Sequence, residues 1–225
     1  MPPKPKFTKD VVLATALQLL REKGEDALTA RSLADALNCS TRPLFTLWAN
    51  MDELKHDLRH GLALQVFMDA CDGYQEYRPA FKQLGLNILQ FATNEPQLFS
   101  FLFISKCGCE ESLTLDQWAT GYLGDQSIPL LMRDFDLDHE TARTLFIENF
   151  LHCFSLCVLK VTGAAKLTNE EASASLTHGF MGTIALAKAG VLTYSGVAPD
   201  KEGGTLDGKP VGALPVVPVQ DPRDA

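Results

Sequence analysis

The sequence predicts an all-α protein: a three-helix helix-turn-helix head, a larger helical body and a closing segment of little regular structure. Three observations predict it. Between Leu28 and Leu54, two short stretches with apolar residues three and four apart are separated by the break Asn38-Cys39-Ser40. From Asp52 to Ala189, apolar-striped segments follow one another, divided by breaks such as Gly73, Pro79 and Glu95-Pro96. From Gly190 onward, six glycines and five prolines crowd the segment, which cannot bury enough apolar surface to offset the entropy of ordering it. The expected organisation is therefore a head over 1–50, a helical body over 51–189, and a flexible Pro/Gly-rich tail over 190–225.

Helix one is expected over Phe7 to Lys23, with Thr8 as N-cap and Gly24 as the C-terminal stop. Ahead of it, Met1 to Lys6 carries three prolines and two lysines, either a plain flexible terminus or an arm that reaches a phosphate or the minor groove. Thr29 suits the N-cap of the next helix, whose inward stripe is Ala30, Leu33, Ala34 and Leu37. Ser40 is expected to cap a helix from Thr41 to Trp48 with Leu44 and Trp48 as its buried edge. Pro43 falls in the first turn of that helix, where a missing N–H has no partner to lose. Two short helices joined by a tight turn are the arrangement that places a helix in the DNA major groove.

Thr29, Leu33, Ala34, Leu37, Ser40, Leu44, Phe45, Trp48, Asp52 and Leu54 together resemble the N-terminal domain of TetR-family (TetR/AcrR-like) transcriptional regulators. The resemblance implies a homodimer that binds a double-stranded DNA operator. It also implies a body that binds a small-molecule effector, with no enzymatic activity, cofactor or metal. On that reading Thr41, Arg42, Phe45 and Thr46 face the groove. Arg42 reads the O6/N7 edge of guanine, Thr41 and Thr46 meet phosphate or a thymine methyl, and Thr29 and Arg31 take phosphates. The plain alternative is a solvated helix face. The family usually carries Tyr where Phe45 stands, often His at Leu47 and commonly Lys at Met51. Losing those polar groups implies weaker non-specific binding and a flatter salt dependence.

Charge is compatible with this division. The net charge is −8, but residues 1–60 hold nine Lys/Arg against eight Asp/Glu, leaving 11 against 20 for the rest. A nearly neutral head on an acidic body permits a DNA-reading module without demanding one. No basic segment leads into an apolar one at the start, and no uninterrupted apolar run reaches bilayer length. The chain is therefore read as cytoplasmic with no membrane partner.

In the body, helices are expected from Asp52 (capped by Asn50 or Asp52 itself) to about Tyr77, from Arg78 to Asn94, and from Gln97 to Ser105. A loop over Lys106 to Glu111 follows, then two short helices, Thr114 to Leu123 and Ser127 to Phe135. Long helices from Asp138 to Val161 and from Thr168 to Ala189 complete the body and resemble the helix pair of the family's dimer interface. An effector pocket is assigned to Phe91, Phe99, Phe103, Trp118, Tyr122, Phe150, His152 and Phe154, with Asn149 and Gln117 as further polar handles. Ordinary core packing is the alternative for each residue singly. Cys107-Cys109 and Cys153-Cys157 raise a redox or metal site with His152, but Cys-x-Cys lacks the usual zinc spacing and buried thiols commonly pack as small core residues. The reading is thus a repressor released from a palindromic operator by an apolar or amphipathic effector. The alternative is a helical ligand-binding sensor that has lost specific DNA recognition.

Overall fold

Thr8 accepts from Val11 N and starts α1, Lys9–Lys23, which buries Val12, Ala16, Leu17, Leu19 and Leu20. Gly24 ends it at φ +78°, where a side chain would also run into Gln97. The computed structural model describes residues 7–105, 113–190 and 192, together with the backbone of 203–206 and 209–215. The helix α2, Ala30–Ala36, begins at Thr29, whose hydroxyl accepts from Ser32 N at 3.1 Å. Helix α3, Met51–Leu58, is capped by Asn50 rather than Asp52, its Oδ1 accepting from Glu53 N at 2.8 Å.

The long helix expected from Asp52 to Tyr77 is regular only in part. A π-helical turn, Arg59–Ala63, joins α3 to α4, Leu64–Cys71, and Gly73 then stops the rod in the left-handed region. The buried stripe explains the π turn. Leu54, Leu58, Ala63, Phe67 and Cys71 all lie in the core, so the spacing is four except for one step of five. A single widened turn absorbs that step and keeps both halves facing inward. Of the apolar positions Leu54, Leu58, Leu62, Val66 and Phe67 that the sequence suggests for this stripe, Leu54, Leu58 and Phe67 are buried, while Leu62 and Val66 are half-buried.

The body consists of α5, Ala80–Asn94; α6, Pro96–Phe103; α7, Leu115–Phe135; α8, His139–Thr162; and α9, Asn169–Lys188. Helix α8 is central, packed against α5, α7 and α9, and buries ten residues from Ala142 to Cys157. By length and composition it could cross a membrane, yet here it is the body's core helix. The two short helices expected over 114–135 are one 21-residue helix, with Pro129 in its interior and exposed. Burial of Ser127, Ile128 and Leu131, and the contact of Tyr74 Oη with Ser127 Oγ at 3.0 Å, keep the helix continuous through a residue that breaks isolated helices.

Head and body meet where α1 packs on α6. Arg21 pairs with Glu95 at 2.8 Å across that seam, and Arg59 lies buried over the Phe101 ring at 4.3 Å. The loop expected over Lys106 to Glu111, with Cys107 and Cys109, lies outside the described residues. Within the expected tail, Gly203–Leu206 pairs antiparallel with Lys209–Pro215 as a two-stranded hairpin. The fold is otherwise all-α.

Candidate nucleic-acid interface and internal cleft

The second helix of the motif is the main departure from the sequence reading. No α-helix runs from Thr41 to Trp48, and Ser40 caps nothing. The chain makes a turn and then one 3-10 turn, Leu44–Thr46. The reasons are local. Pro43 brings no N–H, and the Thr46 hydroxyl donates to the Pro43 carbonyl at 2.6 Å. What remains are three-residue bonds, Leu44 N to Thr41 O, Thr46 N to Pro43 O and Leu47 N to Leu44 O, and a single four-residue bond from Trp48 N to Leu44 O. Asn38, at φ +49°, turns the chain out of α2.

Short as it is, the turn is firmly seated. Leu44 and Trp48 are 1% and 3% exposed, in the same core cluster as Leu33, Ala34 and Leu54. Between them Phe45 is 48% exposed; Ser40, Arg42 and Thr46 are exposed and Thr41 half-buried. Thr29 and Arg31, at the start of α2, are exposed as well. Neither Arg31 nor Arg42 forms an ion pair with any described residue. Their guanidinium groups therefore remain available to an external oxygen.

The sequence missed the tie behind this surface. The Trp48 indole Nε1 donates to Asp57 Oδ2 at 2.8 Å, and Lys9 Nζ donates to the same oxygen at 2.9 Å while lying 4.9 Å from the Trp48 ring centre. Those two donors, Lys9 first, hold the Asp57 carboxyl below its ordinary value. An indole N–H followed nine residues later by a carboxylate on the next helix was the available signal.

The eight residues assigned to an effector pocket separate into two groups. Phe99, Phe103, Trp118, Tyr122, Phe150 and Phe154 pack on one another, with ring centres from 4.7 Å (Trp118–Phe154) to 5.8 Å (Phe103–Phe154), and Phe91 meets Phe67 at 5.2 Å. His152 stands apart, between α8 and α9, with Nε2 at 3.2 Å from both the carbonyl and the hydroxyl of Ser175 and its ring against Gly179. The Gln117 side chain closes the capping box of α7 with Thr114. A narrow cleft of about 20 Å³ lies beside the aromatic group, between α5, α8 and α9. Of the eight, only Phe150 lines it, with Phe81, Leu84, Gly85, Ile88 and Phe180 as apolar wall and Asn149, Cys153 and Thr177 as polar groups. Asn149 Nδ2 is engaged by the Leu145 carbonyl and the Thr183 hydroxyl, both at 2.8 Å.

The described thiols are those of Cys39, Cys71, Cys153 and Cys157. Burial pushes the Cys71 thiol up to about 12, and Cys153, hydrogen-bonded to Cys157 and fully buried, is raised well above its ordinary value. Among the described residues, no group of three or more His, Cys, Asp or Glu could hold a metal ion.

With this geometry in view, the chain was compared with known proteins. It superimposes on apo ActR from Streptomyces coelicolor with a TM-score of 0.50 and 18% identity, over 84% of this chain and 99% of that one. That likeness is one of fold. A proposed transcriptional regulator from Streptomyces coelicolor A3(2) aligns with a TM-score of 0.48 and 15% identity, over 82% of this chain and 98% of that one. No family model matches the chain, and no curated protein matches it.

Proposed function

We propose that the protein is a TetR-like DNA-binding transcriptional regulator, a homodimeric repressor that leaves a palindromic operator when a small apolar or amphipathic molecule enters its body. One observation supports the reading above the others. A buried Leu44/Trp48 edge presents a turn on which Arg42, Phe45 and Thr46 are exposed to solvent. A guanidinium fork suits guanine O6/N7, an exposed ring suits a thymine methyl, and a hydroxyl suits phosphate. In a two-fold dimer the two turns would enter successive major grooves about 34–36 Å apart.

Effector control would use the cleft of α5, α8 and α9. A molecule seated against Phe81, Phe150 and Phe180 must part α9 from α5, because the cleft has room for little more than one water. Ligand binding would then favour a body conformer with a different separation of the heads. DNA affinity would fall by the ratio of the effector's affinities for the two conformers.

Selection from a random duplex pool, followed by footprinting, tests the DNA reading. The expected product is a palindrome protected on two half-sites about one helical turn apart. A protein that enriches no sequence is instead a helical sensor that has lost its operator, a reading in line with the absent Tyr, His and Lys at Phe45, Leu47 and Met51.

A further inference from the structure

Trp48 closes the recognition turn, and its ring is buried while its single polar atom faces Asp57 on α3. We propose that Asp57 is a positioning residue for DNA recognition, its carboxylate fixing the angle of the 41–46 turn through the Trp48 indole. The inference rests on the DNA-binding reading above.

The turn cannot set its own angle. Its backbone bonds are mostly of the three-residue kind, and only the bond from Trp48 N to Leu44 O is α-like. Its two anchors differ in kind. Leu44 is held by apolar contact, which has depth but no preferred direction. The Trp48–Asp57 bond, at 2.8 Å to a charged acceptor, is directional and among the stronger sorts of hydrogen bond. Asp57 is itself held: Lys9 Nζ occupies the same Oδ2 at 2.9 Å from the first turn of α1 and leans over the indole ring. A helix of the head, the turn and the helix leading into the body therefore converge on one carboxylate oxygen. Rotating the indole away would move Phe45 and Arg42, three and six residues before it, while Leu44 could remain buried.

Two aspartate variants and one tryptophan variant test this. Asp57→Ala removes the acceptor, Asp57→Asn keeps an acceptor for the indole but drops the charge, and Trp48→Phe keeps a ring and removes the donor. On an operator obtained by selection, Asp57→Ala and Trp48→Phe should each weaken binding about tenfold, and the double variant no more than either alone. Asp57→Asn should restore most of the loss, and affinity for random-sequence duplex should change by no more than about twofold. A second measurement needs no DNA. Backbone amide exchange over 41–48 should quicken about tenfold in Asp57→Ala while α1 and α2 keep their protection.

Equal losses on operator and random duplex, additive losses in the double variant, or an Asp57→Asn no better than Asp57→Ala would each overturn the proposal. So would exchange that quickens across the whole head. If the wild-type protein prefers no sequence, the DNA reading itself has failed. The amide exchange then still decides whether Asp57 fixes the turn.

Discussion

Two thiols buried in the core and one aspartate beside a charged donor have altered acidity, and each gives a measurable consequence. Cys71 and Cys153 share the core with Cys157, and their raised thiol pKa leaves almost no thiolate at neutral pH. Cys39, half-buried on the head, should therefore react with iodoacetamide at about pH 8 well before Cys71 and Cys153, which should label only on unfolding. Peptide mapping reads this directly, and rapid labelling of Cys153 in the folded protein would contradict it. Asp57 has the opposite sign. Its folded carboxyl lies below the ordinary value of 3.8, so its stabilisation is present at neutral pH and is lost as pH falls through the lowered value. The stability difference between wild type and Asp57→Asn should accordingly be largest near neutrality and shrink towards zero in acid, as followed by urea unfolding at a series of pH values. Arg42→Ala should raise the operator dissociation constant by the equivalent of roughly 1–3 kcal/mol if the guanidinium reads a base. Unchanged affinity and an unchanged footprint would remove Arg42 from the interface.

At the scale of elements, what the sequence made legible was capping and apolar spacing. Thr8, Thr29 and Asn50 each accept from a backbone N–H of the following turn, and Gly24 and Gly73 end helices at positive φ. The misreadings share one cause: a local rule overruled by packing, or packing that left a local rule in charge. Two short helices were expected over 114–135, yet buried Ile128 and Leu131 kept α7 whole across Pro129. Of the apolar positions Leu62, Val66 and Phe67, only Phe67 is buried, and Ala63 takes the core place that Leu62 was expected to fill. In the recognition turn the balance went the other way. With only Leu44 and Trp48 to bury, tertiary contacts could not compensate for Pro43 and the Thr46 back-bond, and a 3-10 turn replaced the helix. For the proposed effector site, aromatic composition was legible but geometry was not, since rings that could line a cavity fill one another's space equally well. Capping also yields a number. Thr168 and Glu171 complete the capping box of α9, so Thr168→Ala should cost about 1 kcal/mol in urea unfolding, and Thr168→Ser much less.

For the whole molecule, the decisive question is what covers the outer side of α9. Met181 is 66% exposed, and with Ile184 and Ala185 it forms one apolar stripe at three- and four-residue spacing, bounded by Lys188 at the helix end. Phe135, Phe180 and Pro79 extend that stripe into an apolar groove of about 460 Å³. Exposed Leu159 and Leu186, on α8 and α9, add to the apolar surface of the same helix pair. A surface helix of a monomer would carry charge there, and this one places its charge at the ends, in Glu170, Glu171 and Lys188. A second copy packed against α8 and α9 across a two-fold axis would bury the stripe against its own image, and two such subunits would supply the paired turns that a palindrome requires. Met181→Asp with Ala185→Asp places four carboxylates at the centre of that contact. Light scattering should then show a dimer for the wild type and a monomer for the variant, with each buried charge worth at least about 2 kcal/mol, or some thirtyfold in dissociation constant. Circular dichroism should be nearly unchanged, because neither side chain belongs to the subunit's own core. A variant that stays dimeric would move the interface elsewhere, and a wild type that is monomeric at every concentration would remove the geometry on which operator binding depends.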